Sequence, residues 1–241
     1  SDVCSSDLSH NREKIKELAS GQLKDEANAW FVGEPFKVFY DYKKEGIWQL
    51  GEEAAAAANG QEPGDIKVQD VDGNGVITTD DRIIYSQRPD VTFGFNNTFN
   101  YKGFDLSVFL YARLGQWIAY DYNTTYRINA LENGGNVDYW TPENPTNAFP
   151  RPNKSKSYTQ VTYYSTLKYE DGSFFKIRDI TLGYTFKPEL LKHLNLSKLR
   201  VYATAKNFFT FSKIDNYDPE QGGSISFPMT KQLVFGLNVE F

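Results

Sequence analysis

Residues Val91 to Leu114 read VTFGFNNTFNYKGFDLSVFLYARL, two nearly unbroken two-residue alternations joined at Lys102 and Gly103. In the first, Val91, Phe93, Phe95, Phe99 and Tyr101 share one face while Thr92, Gly94, Asn96, Thr98 and Asn100 share the other, which is the period of a strand. After the turn, Phe104, Leu106, Val108, Leu110, Ala112 and Leu114 form an apolar face opposite Asp105, Ser107, Tyr111 and Arg113. Faces this unlike, each about 10 residues long, suit a strand with lipid on one side and water on the other. A soluble sandwich core has the same period, so the hairpin alone leaves both architectures open.

The totals are those of an ordinary acidic protein: 241 residues, net charge -5 and mean hydropathy -0.55. In a barrel, however, lumen-facing residues dilute the lipid-facing ones strand by strand. No apolar run is long enough for a helix to span a bilayer. Aromatic residues make up 16% of the chain, enough for interfacial girdles or for a carbohydrate-binding sandwich. The single cysteine, Cys4, excludes an internal disulfide and a cysteine-based zinc site. His10 and His193, far apart in sequence, offer little for a histidine metal site or triad. The acidic balance gives no reason to expect nucleic acid. Ser1 to Leu8 lacks the basic start and apolar core of a signal peptide, and it fits no strand or helix pattern. Residues 1–10 are therefore expected to be foreign to the natural sequence or disordered.

Further along, residues 11–30 are charged and broken by Gly21, which predicts a short helix and a turn. Phe36, Val38 and Tyr40 alternate with Lys37, Phe39 and Asp41 in a strand expected to break near Gly46. Glu52 to Asn59 predicts one or two helical turns inside a loop. From Gly115 to Ser173 periodicity disappears, and Pro142, Pro145, Pro150 and Pro152 punctuate a long functional loop. Three more strands follow, from Phe174 to Lys187, Lys198 to Phe211 and Met229 to Phe241. In the first, Phe175 and Ile177 are out of phase with Ile180, Leu182, Tyr184 and Phe186, which calls for a bulge near Asp179.

The connections alternate in length. Lys102 to Gly103 is short, Gly115 to Ser173 long, Pro188 to Ser197 short, and Ser212 to Pro228 longer again. Outer-membrane barrels have short periplasmic turns and longer extracellular loops, whereas a sandwich has no reason to gather the length at one end. The pattern favours an all-β fold: part of an antiparallel transmembrane barrel, an open sheet of about six to eight strands with long extracellular loops.

On these residues the chain resembles the C-terminal part of a SusC/RagA-type TonB-dependent outer-membrane transporter. The likeness is carried by VGEPF near Val32, YDYKKEGIWQ from Tyr40, PGDIKVQDVDGNGVITTDDR from Pro63, the FGFNNTFNYKGFDLSVFL hairpin, YWTPENPTN, FFKIRDITLGYTF, LRVYATAKNFFTF and the terminal LVFGLNVEF. It covers residues 11–241, and the order of so many blocks makes it specific. The resemblance implies a barrel of about 22 strands with a plugged lumen, in the outer membrane of a Gram-negative, Bacteroidetes-like bacterium. It further implies a SusD-like surface lipoprotein as lid, energy from the TonB complex through a plug, and oligosaccharide or peptide as cargo. The plug and most strands would precede residue 11, so the chain reads as a fragment whose sheet edges should be unpaired.

Asp70 to Asp81, DVDGNGVITTDD, is the sharpest chemical motif. Asp70, Asp72 and Asn74 occupy positions 1, 3 and 5 of a calcium loop, with Gly75 at the sharp turn, the Val76 carbonyl at 7 and Asp81 at 12. Ile77 would anchor the loop to a core. The shorter Asp81 in place of glutamate reaches less easily for two-oxygen contact. The same residues also suit a polar turn in which Asp and Asn bond their own backbone. Calcium, in a structural role, is the one cofactor the sequence suggests.

Three further features carry weight. Phe241 closes an amphipathic strand and, through the resemblance, looks like the signal read by the barrel-assembly machinery. Trp117, Tyr139, Trp140 and Phe149, in the long outer loop, can stack on a sugar or touch the lipoprotein, or simply pack the loop on the rim. The acidic pairs Glu52 and Glu53, Asp80 and Asp81, and Glu170 and Asp171 sit in loops as adjacent residues, a poor geometry for catalysis. No covalent chemistry is expected. The runner-up is a secreted, calcium-stabilised, carbohydrate-binding β-sandwich, and a glycoside hydrolase would need converging carboxylates that the sequence does not nominate.

Overall fold

Val91–Tyr101 and Phe104–Leu114 pair in register from Val91 opposite Leu114 to Tyr101 opposite Phe104. Lys102 and Gly103 both take positive φ, 47° and 90°, as a two-residue hairpin turn requires. A side chain on Gly103 would come within 2.8 Å of the Thr185 carbonyl, so the tight turn also packs against the next strand. The computed structural model describes residues 2–19, 21–129, 134–192 and 195–241. His193 lies outside these residues.

In chain order the elements are β1 (Asp2–Ser9), β2 (Lys24–Asp25), β3 (Trp30–Phe31), β4 (Val38–Tyr42), β5 (Lys44–Ile47), α1 (Glu53–Ala58), β6 (Ile66–Val68) and β7 (Arg82–Ser86). They continue with β8 (Val91–Tyr101), β9 (Phe104–Leu114), β10 (Trp117–Ala119), β11 (Tyr169–Asp171), β12 (Phe174–Thr185), α2 (Pro188–Leu191), β13 (Lys198–Ser212) and β14 (Gln232–Glu240). Six strands form one antiparallel sheet in the order β1-β8-β9-β12-β13-β14. It is open, with β1 and β14 at its edges. The other strands make four two-stranded pairs, β4 with β7, β5 with β6, β2 with β3 and β10 with β11.

The bulge appears where the phase of the sequence demands it. Register shifts between Ile177 and Asp179 against both β9 and β13. One extra residue brings Phe175, Ile177, Ile180 and Leu182 onto a common outer face, opposite Ala112, Leu110, Val108 and Leu106. That face is solvent-accessible in the chain alone: Phe104, Leu182, Phe209, Phe211, Leu233 and Leu237 are exposed, and Phe235 is 73% exposed. No second sheet among the described residues covers it, which removes the sandwich alternative. Asn97, opposite Val108, interrupts the apolar stripe, a feature that the alternation of the neighbouring residues conceals.

The long connections are not bare loops. Ile47, Ile66, Val68, Trp140 and Leu167 form a buried cluster, with Tyr42, Ile77, Phe149, Val161, Tyr163 and Tyr164 packed against it. Residues 36–86, 115–129 and 134–173 thus fold together into a body with its own core at one rim of the sheet. Burial of this apolar surface is the main stabilising term available to it.

Three expectations change. The opening residues are an ordered strand: Asp2 to Ser9 pairs with β8 from Phe99 to Thr92, because the free backbone groups of a sheet edge accept an extended partner whatever its side chains. The edge at β8 is therefore covered. Residues 11–30 form no helix among those described; Ile15 instead exchanges backbone bonds of 2.9 Å with Gly33 and Glu34. The strand expected from Phe36 to Gln49 divides at Lys43 into β4 and β5, which belong to the outer body. At Gly46 a side chain would come within 2.6 Å of Asn147.

Candidate functional site: the calcium-type loop, the polar wall and the outer body

The Asp70–Asp81 loop joins β6 to β7 on the flank of the outer body. The carboxylate oxygens of Asp70, Asp72 and Asp81 lie within 4.8 Å of one another. Asp70 accepts the amides of Gly73 at 2.8 Å and Gly75 at 2.7 Å, Asp72 accepts Asn74 at 3.0 Å, and the Asn74 side chain accepts Val76 at 2.7 Å. Asp81 is buried and accepts Val71 and Thr78, both at 2.7 Å. The Thr78 and Val71 amides hold its carboxyl below the usual carboxylate range. Ile77 packs on the core, as expected of the anchor position, and its amide is held by Asn59 at the end of α1 at 3.0 Å. This is a polar turn in which the carboxylates bond their own backbone, with Asp81 the most fully engaged of the three.

The four aromatic residues of the long loop divide. Trp140 is 4% exposed and donates its indole N–H to Gln49 at 2.8 Å. Trp117 packs edge-on to Tyr85 at 4.8 Å, and Phe149 packs on Tyr126 at 5.3 Å. Trp140 is thus buried in the core of the outer body, while Trp117 and Phe149 are half-buried in aromatic packing around it. Tyr139 alone of the four is well exposed, at 43%.

The inner face of the sheet carries hydroxyls, amides and charges. Thr181 and Thr204 share a 2.8 Å bond across β12 and β13. Arg200 grips Asp105 with two bonds, 2.9 and 2.6 Å, spanning β12 over Gly183. A side chain at Gly183 would come within 2.5 Å of that carboxylate, which is why glycine stands there. Lys176 is 0% exposed, with its ammonium 2.5 Å from Asp218 and 2.8 Å from Glu220. Sequence reading missed this cluster, because its partners are separated by more than forty residues and nothing in a single strand signals them. Arg200 shares that face with Tyr202, Thr204 and Lys206 of β13.

Beneath the outer body a cavity of about 280 Å³ is lined by Lys44, Tyr85, Trp117, Tyr169, Glu170 and Lys213, among others. Burial pushes the Glu170 carboxyl up and the Lys44 amine down. Glu170 accepts a 2.9 Å bond from Asn123, whereas Asp171 pairs with Lys213 at 3.0 Å. Glu52 likewise serves Lys67 at 2.8 Å. Members of the acidic pairs thus serve separate partners, not a shared reacting atom. Phe241 is 94% exposed immediately beyond β14.

An open antiparallel sheet with one apolar exposed face, one polar face and its long connections folded at one rim defines the class: wall and outer loops of a transmembrane β-barrel. No protein-family profile matches the chain. TonB-dependent receptors P3 and P26 of Formosa agariphila are 30% and 31% identical to it, each over 97% of the chain and 26% of the receptor. TonB-dependent receptor SusC of Bacteroides thetaiotaomicron is 31% identical over 71% of the chain and 17% of the receptor. In structure, the RagAB peptide transporter matches all of the chain and 27% of its own, with a TM-score of 0.74 and 23% identity. The RagAB peptide importer in the open-open state matches with a TM-score of 0.71 and 25% identity. The chain belongs to the TonB-dependent receptors of the SusC/RagA type, and it spans about a quarter of the length of the curated relatives P3 and P26.

Proposed function

We propose that this chain forms the last strands and outer loops of an outer-membrane transporter that imports oligosaccharides or peptides, powered by TonB through a plug and capped by a SusD-like lipoprotein. The observation that carries this reading is the six-stranded sheet whose apolar face stays uncovered while its polar face holds paired charges. Lipid meets the first face and a wet lumen the second. The role is one of wall and chamber, without covalent chemistry. In this reading the exposed Tyr139 and the half-buried Trp117 and Phe149 of the outer loop contact cargo or lid.

In this reading Asp70, Asp72, Asn74, the Val76 carbonyl and Asp81 hold a structural Ca²⁺ that fixes the β6–β7 connection within the outer body. Support comes from the spacing and from the converging carboxylates. Phe241 serves as the assembly signal at the end of β14.

The test is uptake by cells carrying the full-length transporter of the oligosaccharides or peptides that sustain their growth. Loss of growth on deletion of the gene, restored by the intact gene, is expected; growth unchanged on every such source would refute the reading. For calcium, terbium luminescence excited through neighbouring aromatic residues should appear with the native loop and vanish in Asp70→Asn/Asp72→Asn. For the terminus, Phe241→Ala should slow appearance of the folded barrel in the membrane, and an unchanged rate would leave it only an interfacial aromatic.

A further inference from the structure

The first half of the connection between β13 and β14 folds back over the inner face, while residues 226–228 remain exposed. Its acidic side chains Asp218 and Glu220 lie over Lys176, a residue of the inner face that is paired across the sheet with Tyr111 on one side and Thr210 on the other. Arg178 adds a 3.1 Å contact to Glu220, and Thr210 donates to Asp218 at 3.3 Å. Two cations meet two carboxylates. Burying such a set is tolerated only when all members are paired, and it fixes geometry more than it adds stability. Elsewhere the same connection is held by apolar packing: Ile214 joins Ile118 and Tyr120 in a buried cluster, with Tyr122 and Tyr217 packed against it. The Asp121 amide donates to the Gly223 carbonyl at 3.0 Å. A side chain at Gly223 would run into the Ala119 carbonyl, so the two long connections touch backbone to backbone.

We infer that residues 214–223 form a fixed constriction across the luminal face, limiting the size of what passes the outer half of the barrel, and that Lys176 is its positioning residue. Because Lys176 projects from the polar face, whatever covers it must lie inside the barrel. This rests on the transporter reading above only for the identity of that face as the lumen.

Two measurements on the full-length transporter test it. Amine acetylation read by mass spectrometry should modify Lys176 at least roughly 10-fold more slowly than Lys206, as local opening would have to precede reaction; the Lys206 side chain is 47% exposed on the same face. Equal rates would show that the connection is not latched. Secondly, in a cysteine-free background of the full-length transporter a thiol introduced by Thr181→Cys is probed from outside intact cells with maleimides of graded size. With the native connection only the smaller reagents should react, and with residues 215–228 replaced by a short Gly-Ser linker the larger ones should react too, at a rate raised on the order of 10-fold. An unchanged size limit would overturn the constriction. Should the shortened protein fail to reach the membrane, the native acetylation ratio still decides the latch. Failure of nutrient uptake would leave both readouts where they are, so the two readings fail separately.

Discussion

The sheet and the outer body use the same kinds of residue in opposite ways. In the sheet, Phe104, Leu182, Phe235 and Leu237 face outward and are exposed, while in the outer body Ile47, Ile66, Trp140 and Leu167 are buried against one another. One region keeps its apolar surface for a solvent that is itself apolar, and the other hides it from water. Burial in the chain alone therefore measures opposite things in the two regions, and each should respond differently to substitution.

The largest effect is expected in the outer body. Trp140→Ala removes the centre of its cluster and should cost about 3–5 kcal/mol there, read as loss of hydrogen-exchange protection at Ile47 and Ile66 with β12 and β13 still protected. Equal loss in the sheet would break the separation between the regions. Next comes the outer face: Leu182→Arg should cost about 2–4 kcal/mol if it lies near the bilayer midplane, whereas Thr181→Arg, one residue away on the wet face, should assemble. The check is the heat-modifiable migration of the assembled barrel, and a reversed order would mean that the faces are misassigned.

How legible each region was follows from the same contrast. The strands β8, β9, β12, β13 and β14 could be read because one period and one polarity difference mark them, and even the bulge at Ile177/Asp179 announces itself as a phase error. The outer body could not, since its core joins residues such as Ile47 and Leu167 through irregular chain with no period to sum. Aromatics there look like ligand contacts in sequence for the same reason; Trp140 turns out to be core, and Trp117 is half-buried at the edge of a cavity. The calcium-type loop was legible because all its groups lie within one short stretch, and the Lys176 cluster was not because its partners come from a different connection.

Smaller effects sharpen the picture inside the outer body. Asp81→Asn keeps the shape but weakens the bonds from the Val71 and Thr78 amides, at a cost of about 1–3 kcal/mol; faster exchange at those two amides is the expected sign. Glu170 gives the smallest effect, and it is read through pH. Its carboxyl is pushed up by burial, so the folded body holds that proton more tightly than the unfolded chain. Below the ordinary carboxylate range both states are protonated and burial carries no charge penalty; as pH rises through the raised value the penalty appears. Glu170→Gln should match the native protein in acid and become the more protease-resistant of the two towards neutral pH. A constant difference across that range would mean that Glu170 is not the group responsible.

The central claim is that one face of the sheet meets lipid, and a spin-label scan of β9 from Phe104 to Leu114 in the full-length transporter tests it most directly. Labels at 104, 106, 108, 110, 112 and 114 should be open to oxygen and closed to a water-soluble nickel chelate, with labels at the odd positions between them not showing that lipid signature. If the even positions were closed to both reagents, the apolar face would be buried against protein, and the chain would not be a barrel wall.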